Sequence, residues 1–307
     1  MHNRFAHVFP FVFVLALLSG CSTLPEKPPT PHAEVPRAES PRTENTQTSS
    51  PTQIPKGFSL EGLELPTAKK TFLDHNPASS LQTVQKTGYT ALYSSKHRIA
   101  TWVAYRLPKA KALLKKVPRK DRFHKDTALM NGVAPNEYAK SGYDRGHLAP
   151  AEDMRWSADA MYDSFSMVNM TPQSPSLNRG VWKQIEERVR EFALGHDEVF
   201  IATGPVLTEK CLRHIGKGVC VPQHHFKVVL AHAGSFKAIG FIVPQDAKGS
   251  FESWVQTVAE VERRTGLDFF SKLPDALETQ VENKADLKNW LSGTGEVRTP
   301  ATKPVSN

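Results

Sequence analysis

The middle of the chain carries the apolar patterns of β-strands. Residues 87–95 and 98–107 contain the β-branched and aromatic residues typical of two paired strands. Three more strands are predicted within residues 198–207 and 226–244, the last two hinged at Gly234. In the second strand, apolar residues alternate at Ile99, Trp102 or Val103, Tyr105 and Leu107. This part of the chain is therefore predicted to form a sheet.

Helical patterns occupy three other segments, which are residues 157–167, 174–195 and 251–266. In the second segment Ser174 is a favourable N-cap, and Pro175 suits the first helical position. Its apolar stripe consists of Trp182, Ile185, Val189 and Phe192. The third helix is predicted to end at Gly266. Because strands and helices are interspersed without regular βαβ alternation, the predicted fold class is α+β with a mostly antiparallel sheet.

Both ends of the chain are predicted to lie outside this fold. Residues 1–20 contain an apolar run too short to span a bilayer, and Cys21 follows it directly, as in a bacterial lipoprotein signal. The alternative is an ordinary secretory signal with a chance cysteine. Residues 21–56 are rich in Pro, Ser and Thr and predict a disordered tether, and residues 292–307 predict a disordered tail. The folded domain is then residues 57–291.

The predicted anchor also indicates a location. Lipidation of Cys21 would attach the chain to the bacterial cell envelope, on its periplasmic side or at the surface. Ser22 stands where an aspartate would indicate retention in the inner membrane, so the outer membrane is the predicted destination. A homodimer is compatible with this arrangement, although no sequence feature requires one.

The net charge of the chain indicates the kind of partner that it can bind. The net charge is +8 and the isoelectric point is near 9.3, which favours a polyanionic partner such as nucleic acid or an anionic surface. Residues 109–125 form a basic run that suits nucleic-acid contact and equally suits a solvated lysine-rich face. Charge alone does not indicate any chemistry.

The cysteines support export. If Cys21 is lipidated, Cys211 and Cys220 remain as an even pair and predict a disulfide between two strands. The alternative is a metal pair with His214 or His224, although no CxxC spacing accompanies it.

Two polar residues of the second helix carry candidate chemistry. Asn178 lies seven residues before Ile185 on the apolar stripe, so its amide must find a partner, either a buried hydrogen bond or a hard cation. Glu186 lies on the flank of the stripe, four residues before Arg190. The two can form a solvent-facing ion pair, or Glu186 can hold water on a metal while Arg190 faces a phosphate. The helix by itself leaves both choices open.

Several short motifs occur in a fixed order along the chain and are informative as a set. Asp144, Arg145, Gly146 and His147 form an Asp-Arg-Gly-His sequence followed by Leu-Ala-Pro, and Asn169 opens an Asn-x-x-Pro-Gln run. Asn178 follows Asn169 by nine residues, and Glu186 follows Asn178 by eight. With the segments at 177–182 and 265–275, this ordered set resembles the DNA/RNA non-specific endonuclease family, the ββα-metal nucleases.

The resemblance implies a ββα-metal fold and a role for each matching residue. His147 would be the general base, for which an imidazole pKa near 6.5 is suitable. Asn178 would be the one direct protein ligand of Mg²⁺, with Mn²⁺ as an alternative ion, and Glu186 would hold water around it. The phosphate-facing cations would be Arg145, Arg190 and Arg122, the last acting on the transition state.

The remaining matches are supporting residues. Asn169 would hold the site together by hydrogen bonds, and Asp144 would anchor the turn that presents His147. Gly146 would let backbone or phosphate approach closely.

The resemblance implies a Mg²⁺-dependent endonuclease that hydrolyses DNA and RNA and leaves 5′-phosphate ends. One alternative is an envelope lipoprotein whose nuclease-like fold binds nucleic acid or acts as a scaffold without catalysis. A pure binding module would not require the complete set of His147, Asn178 and Glu186. A phosphodiesterase of narrow substrate range would use the same residues in a groove of different shape.

Overall fold

The structure is a computed structural model that describes residues 57–291. The predicted signal peptide (1–20), lipidated Cys21, tether (21–56) and tail (292–307) lie outside the described residues. Within residues 57–291, no helix combines the length and hydrophobicity that are needed to cross a membrane.

The described residues form strands and helices joined by loops and short 3₁₀ turns. The strands are β1 (Thr67–Ala68), β2 (Leu81–Gln85), β3 (Thr90–Ser94), β4 (Ile99–Pro108), β5 (Asp144–His147), β6 (Met170–Gln173), β7 (Glu198–Pro205), β8 (Arg213–Ile215), β9 (Val219–Val221), β10 (His224–His232), β11 (Phe236–Pro244), β12 (Val255–Gln256) and β13 (Leu267–Asp268). The helices are α1 (Lys70–His75), α2 (Lys109–Leu113), α3 (Ala158–Ser164), α4 (Pro175–Arg179), α5 (Val181–Gly195), α6 (Val258–Thr265), α7 (Asp275–Glu282) and α8 (Leu287–Leu291).

A seven-stranded antiparallel sheet organises the domain, in the order β12-β11-β10-β7-β4-β3-β2. The pairs β1–β13, β5–β6 and β8–β9 form three separate two-stranded sheets. β10 and β11 meet across the turn at Gly234, whose φ of +71° suits glycine, as the sequence predicted. The α+β fold class with an antiparallel sheet is confirmed.

The large sheet is covered on both faces. Val199 and Ile201 of β7 pack with the apolar stripe of α5, whereas Phe200 and Ala202 pack on the other face with residues of α6 and α7. Because both faces are buried, the central strands are continuous apolar runs rather than alternating ones. In β4 this places Val103, not Trp102, on the same face as Tyr105 and Leu107.

The second predicted helix is not continuous, and in this respect the prediction was wrong. Ser174 caps α4 by accepting a hydrogen bond from Leu177 N at 3.2 Å, as expected. The chain then breaks at Gly180 (φ −108°, ψ −111°) before α5 begins. A Cβ on Gly180 would lie 2.3 Å from the Ser176 carbonyl oxygen, so this break requires glycine. The break reorients α4, and with it Asn178, relative to the stripe of α5.

The other two predicted helices are shorter than the apolar pattern suggested. α3 begins after Ser157, whose hydroxyl accepts a hydrogen bond from Ala160 N. α6 begins after Thr257, which caps it through Glu260 N, because residues 251–256 form a 3₁₀ turn and the edge strand β12. It ends at Gly266 in the left-handed conformation, as predicted.

The predicted disulfide is present. Cys211 and Cys220 are bonded, with their Cα atoms 5.5 Å apart, and they close the β8–β9 hairpin. The alternative metal pair was therefore wrong: His224 instead bonds Glu209 at 2.7 Å, and His214 is exposed on β8.

Removal of this disulfide should destabilise the domain. The bond closes a short loop, with nine positions separating the cysteines, and chain entropy gives such a bond about 2–3 kcal/mol. We expect Cys211→Ala/Cys220→Ala to lower the free energy of unfolding in urea by that amount. Reductant should lower the stability of the wild-type chain and leave the double variant unchanged. Equal midpoints for the wild type and the double variant would contradict the prediction.

Candidate active site

Two strands and two helices build the site. β5 and β6 form a hairpin in which His147 lies opposite Met170, and β6 leads directly to the Ser174 cap and α4. At the start of α5, Trp182 Nε1 donates a hydrogen bond to the His147 carbonyl oxygen at 3.2 Å. This bond fastens the end of β5 to the helix, so the hairpin and helices form one ββα unit.

A cavity of about 720 Å³ opens where β5 meets the two helices. It brings together five of the sequence-predicted residues, namely Arg145, His147, Asn178, Glu186 and Arg190. Two others, Arg122 and Asn169, do not line this cavity. The cavity therefore contains the predicted base and the predicted metal ligand on a common open surface.

The His147 ring is enclosed by aromatic side chains. Its centroid lies 5.1 Å from the Phe165 ring, which meets it edge-on, and 5.9 Å from the Phe123 ring. Its Nε2 atom is buried and makes no hydrogen bond with any part of residues 57–291, so Nδ1 is the ring nitrogen that can reach the cavity. Burial, with a smaller effect of the Arg119 charge, lowers the pKa of His147 to about 3. The imidazole is thus neutral and can accept a proton, although its pKa is not the ordinary value that the sequence suggested.

Asn178 is oriented by a carboxylate. Its Nδ2 donates to Asp144 Oδ2 at 2.9 Å, and Arg179 makes two hydrogen bonds to the same carboxylate at 2.8 and 2.9 Å. Burial opposes ionisation of Asp144, but the bonds from Arg179 and Asn178 prevail and lower its pKa. An ionised carboxylate only accepts hydrogen bonds, so the amide nitrogen must face it. The carbonyl oxygen Oδ1 of Asn178 is left for another ligand at the cavity.

Glu186 does not form the predicted ion pair with Arg190. Arg190 Nη1 instead bonds Asp153 Oδ1 at 3.0 Å, and the other oxygen of Asp153 accepts a 2.7 Å hydrogen bond from Tyr105. Burial raises the pKa of Glu186, and the nearby charges of Lys227 and Arg190 counteract this rise. Two acidic side chains, Glu186 and Asp153, thus lie close to two basic ones, Arg190 and Lys227, where α5 faces the cavity.

Lys227 is the member of this set that sequence reasoning missed. It lies in the middle of β10, is fully buried, and donates from Nζ to the Leu148 carbonyl oxygen at 3.3 Å. Its ammonium also lies 5.0 Å from the centroid of the Trp182 ring. A lysine beside the apolar run of a buried strand is a sequence signal for a buried partner, because an unpaired buried charge is very costly.

The upstream arginine at the cavity is Arg119 and not Arg122. Arg119 lines the cavity, bonds Asp121 at 2.7 Å and lies 5.4 Å from the centroid of the Phe165 ring. The resemblance pointed to Arg122, three positions further along an irregular loop. Without a regular period in that loop, spacing could not identify which arginine turns inward.

Arg145 differs from the other cavity arginines in its partners. Arg119, Arg179 and Arg190 each bond a carboxylate. Within residues 57–291 Arg145 has no such partner, and its guanidinium lies 4.2 Å from the centroid of the Phe123 ring. Its charge is therefore held in place by an aromatic face and left for an anion.

Asn169 supports the site from below. It is fully buried; its Nδ2 donates to the carbonyl oxygens of Ala149 and Ser164 at 2.8 and 2.9 Å, and its Oδ1 accepts from Ala149 N at 2.9 Å. These bonds fix the loop that follows His147. Asn169 is thus placed to position the loop without touching the cavity.

The structure gives a different reason for glycine at position 146 from the one that the sequence suggested. A Cβ at this position would lie 2.2 Å from Gln173 Oε1 on the neighbouring strand. Glycine therefore admits the Gln173 side chain, rather than backbone or a phosphate, to the space between Arg145 and His147.

Comparison with known proteins adds independent evidence. The sequence model of the DNA/RNA non-specific endonuclease family matches residues 68–276. A nuclease of Nostoc sp. (strain PCC 7120) is 33% identical over 217 residues, covering 66% of this chain and 77% of that protein. Human mitochondrial endonuclease G is 30% identical over 205 residues, covering 61% and 69% respectively. A crystal structure of the EndoG/EndoGI complex matches with a TM-score of 0.58 and 26% identity, covering 62% of this chain and 86% of the matched chain.

Proposed function

The chain belongs to the DNA/RNA non-specific endonuclease family and hydrolyses phosphodiester bonds, and we propose that it is a Mg²⁺-dependent, sugar-nonspecific endonuclease. Its substrates are DNA and RNA, and its products carry 5′-phosphate ends. The observation that carries this proposal is that a neutral His147 and Asn178, whose amide nitrogen is bonded to Asp144, line the same open cavity.

His147 acts as the general base in this proposal. Its Nδ1 accepts a proton from a water molecule that attacks the phosphorus, and burial keeps the ring unprotonated beforehand. The bond between the phosphorus and the 3′ oxygen breaks in the same displacement, and the departing 3′ oxygen takes a proton from solvent. Phe123 and Phe165 contact the His147 ring and fix its orientation. Nδ1 therefore already points in the required direction before the reaction begins.

The donor set suits a divalent cation, on which this family depends. Asn178 offers a neutral oxygen whose direction is fixed by Asp144, and hard cations such as Mg²⁺ prefer oxygen ligands. When bound, Mg²⁺ supplies positive charge that stabilises the charge developing on the scissile phosphate. Glu186 lines the same cavity and can hold water by hydrogen bonds, and Mn²⁺ suits the same donors.

The arginines of the cavity provide phosphate contacts. Arg145, which bonds no carboxylate among the described residues, can bind a phosphate oxygen directly. Arg190 lines the cavity while its bond to Asp153 fixes its position, and Arg119 occupies the place that the sequence assigned to Arg122. These contacts read phosphate rather than base edges, which agrees with action on both DNA and RNA.

Arg119 and Arg122 give a matched comparison. Arg119→Ala is expected to lower kcat/KM on DNA about tenfold, the value of a hydrogen bond to a charged group, because its guanidinium reaches the cavity. Arg122→Ala removes the same charge three positions away and should stay within about twofold. Initial rates on a fluorescent oligonucleotide measure both. A larger loss for Arg122→Ala would restore the assignment made from the sequence.

The proposal is tested on the purified full chain. Plasmid DNA and structured RNA are incubated with Mg²⁺ or with a chelator, and the fragments are ligated with and without prior phosphatase treatment. Cleavage of both substrates that requires Mg²⁺, with ligation abolished by phosphatase, is expected. Binding without cleavage would favour the scaffold alternative, and cleavage confined to small phosphodiesters would favour an enzyme of narrow range.

We also propose that Cys21 is lipidated and anchors the domain to the bacterial envelope, at the outer membrane. The support is the position of Cys21 directly after the short apolar run, followed by Ser22. Cys21→Ser is expected to move the protein from the membrane fraction to the soluble fraction after expression in a bacterial host. An unchanged distribution would contradict the anchor and leave the catalytic proposal intact.

A further inference from the structure

The active-site cavity continues toward the disulfide-closed hairpin. A second cavity of about 400 Å³ shares Asp144 and Arg145 with the first. A third cavity of about 450 Å³ shares Asn136 and Ala139 with the second and reaches Arg213. We call the second and third cavities together the side groove. It leads from Arg145, beside His147, to the β8–β9 hairpin.

Arg145 and Arg213 occupy the two ends of the side groove and resemble each other. Arg213 is exposed, lies with its guanidinium carbon 5.0 Å from the centroid of the Tyr143 ring, and donates to the Ser141 carbonyl oxygen. Like Arg145, it has no carboxylate partner in the described part of the chain. Two arginines thus stand at the two ends of one groove, each against an aromatic face and neither bonded to a carboxylate within residues 57–291.

The acidic groups along the side groove do not cancel these charges. Glu137 lines the third cavity, but its carboxylate accepts two hydrogen bonds from buried Arg98 at 2.6 and 3.0 Å. Asp144 is bonded to Arg179. Lys140 and His214 add exposed basic side chains at the far end. The groove therefore favours an anion.

The middle of the side groove has a different character. Pro135 and Tyr143, both half-buried, line the second cavity together with the buried Tyr138, so the wall between the two arginines is apolar and aromatic. Cationic ends with an aromatic centre match a polynucleotide strand, whose phosphates alternate with sugars and flat bases. A simple anion would not require the aromatic middle.

We propose that the side groove binds the substrate strand beyond the scissile phosphate, with Arg213 contacting a backbone phosphate. This inference rests on the proposed function, because it assumes that the phosphate being cleaved lies beside His147. The substrate class it predicts is a polynucleotide several residues long, bound on the hairpin side of the active site.

The disulfide gives the hairpin the rigidity that this role needs. Cys211 and Cys220 enclose Arg213 and His214, and Cys220 N donates to the His97 carbonyl oxygen at 3.0 Å. At the hairpin turn, Lys217 N donates to Glu137 Oε2 at 2.9 Å. Arg213 thus lies on a hairpin that is fixed at its base by the disulfide and at its turn by Glu137. Little conformational entropy of the hairpin is therefore lost when Arg213 binds a phosphate.

The first test compares substrates of different length with the full chain and Mg²⁺. Arg213→Ala is expected to lower kcat/KM on a 20-nucleotide single strand about fivefold to tenfold, the value of one charge-assisted phosphate contact. The minimal ester bis(p-nitrophenyl) phosphate does not reach the groove, so the ratio of the two efficiencies should fall by nearly the same factor. Arg263→Ala is the matched control, because Arg263 is exposed on α6 and paired with Glu260. An unchanged ratio in Arg213→Ala would overturn the inference.

The second test measures binding without cleavage. The single strand is titrated into His147→Ala with and without Arg213→Ala, at several salt concentrations. Loss of one phosphate contact should reduce the slope of log K against log salt by about 0.7. Equal slopes would overturn the inference. If the wild type cuts neither substrate but Arg213→Ala still reduces the slope, the groove is supported and the catalytic proposal fails.

Reduction of the disulfide provides an independent readout. Dithiothreitol should lower the efficiency ratio of the wild-type chain, since it releases the hairpin that carries Arg213. It should add little to Arg213→Ala, because the contact is already absent. Circular dichroism confirms that the reduced chain remains folded during the assay. Equal additional losses in both proteins would contradict a role of the disulfide in holding Arg213.

Discussion

His147→Ala is expected to lower kcat on DNA and on RNA by about 10²–10⁴-fold, the usual contribution of a general base. The imidazole is the neutral, oriented proton acceptor at the cavity, with Nδ1 facing the open side. His196→Gln is the matched control: His196 is buried at the end of α5, where it bonds the Phe192 carbonyl oxygen and does not line the cavity. A His147→Ala enzyme that retains a tenth of the wild-type rate would remove His147 from the chemistry.

The same position gives a stability test that does not depend on activity. Burial lowers the pKa of His147 to about 3, below the ordinary value near 6.5, so the unfolded chain binds a proton that the folded chain excludes. The wild-type domain therefore loses stability from this group as the pH falls below about 6.5, by about 1.4 kcal/mol per pH unit. His147→Gln lacks this loss, so its free energy of unfolding should rise relative to wild type between pH 6 and pH 4.

The comparison of variant with wild type isolates one histidine. Burial also lowers the pKa of His97 and of His225, and raises the pKa of Glu278 and of Glu282, so the total pH dependence contains opposing contributions. These contributions are common to both proteins and cancel in the difference. Urea denaturation at four pH values provides the measurement. A difference that does not change with pH would show that His147 is not buried in the native state.

Local sequence patterns identified the parts of this domain that local physics determines. The cap at Ser174, the helix end at Gly266 and the turn at Gly234 each depend on the conformational preference of one residue, and each lies where it was predicted. The motif around His147 was recognisable because its spacing reflects a hairpin followed directly by a helix. The disulfide could be predicted because a single cysteine pair remained in the folded region.

Features that depend on contacts between distant segments could not be predicted from local sequence patterns. Asp153 is the partner of Arg190 because packing brings the turn at residues 151–154 against α5, and no sequence period links those positions. Lys227 is buried beneath the site by the pairing of β10 with β7. The low pKa of His147 results from burial, to which Phe123 and Phe165 of two other segments contribute, and from the charge of Arg119. The residue types of the site could be predicted from the sequence. Their ion pairs and pKa values could not, because these depend on which distant segments pack together.

Asn178→Ala is expected to lower kcat/KM about 100-fold at a fixed low Mg²⁺ concentration, and the loss should shrink as Mg²⁺ increases. The reason is that Oδ1 of Asn178 is the oxygen that the amide leaves toward the cavity once Nδ2 bonds Asp144. Mn²⁺ binding followed by electron paramagnetic resonance checks affinity without catalysis. Asn283→Ala is the control, since Asn283 follows α7 and its side chain bonds only the Thr279 carbonyl oxygen among the described residues. Unchanged Mn²⁺ affinity in Asn178→Ala would remove this residue as a metal ligand.

The bond between Asn178 and Asp144 allows a sharper test by exchange. Asn178→Asp places two carboxylates 2.9 Å apart where an amide had donated to one, so like charges should disorder the pair and lower kcat/KM about tenfold to 100-fold. Asp144→Asn removes the carboxylate that orients Asn178 and should act in the same range. The double variant Asp144→Asn/Asn178→Asp restores one donor and one acceptor, with an oxygen still free to face the cavity. Its loss should therefore be smaller than the product of the two single losses. Purely multiplicative losses would show that the two side chains act independently, and would contradict orientation of Asn178 by Asp144.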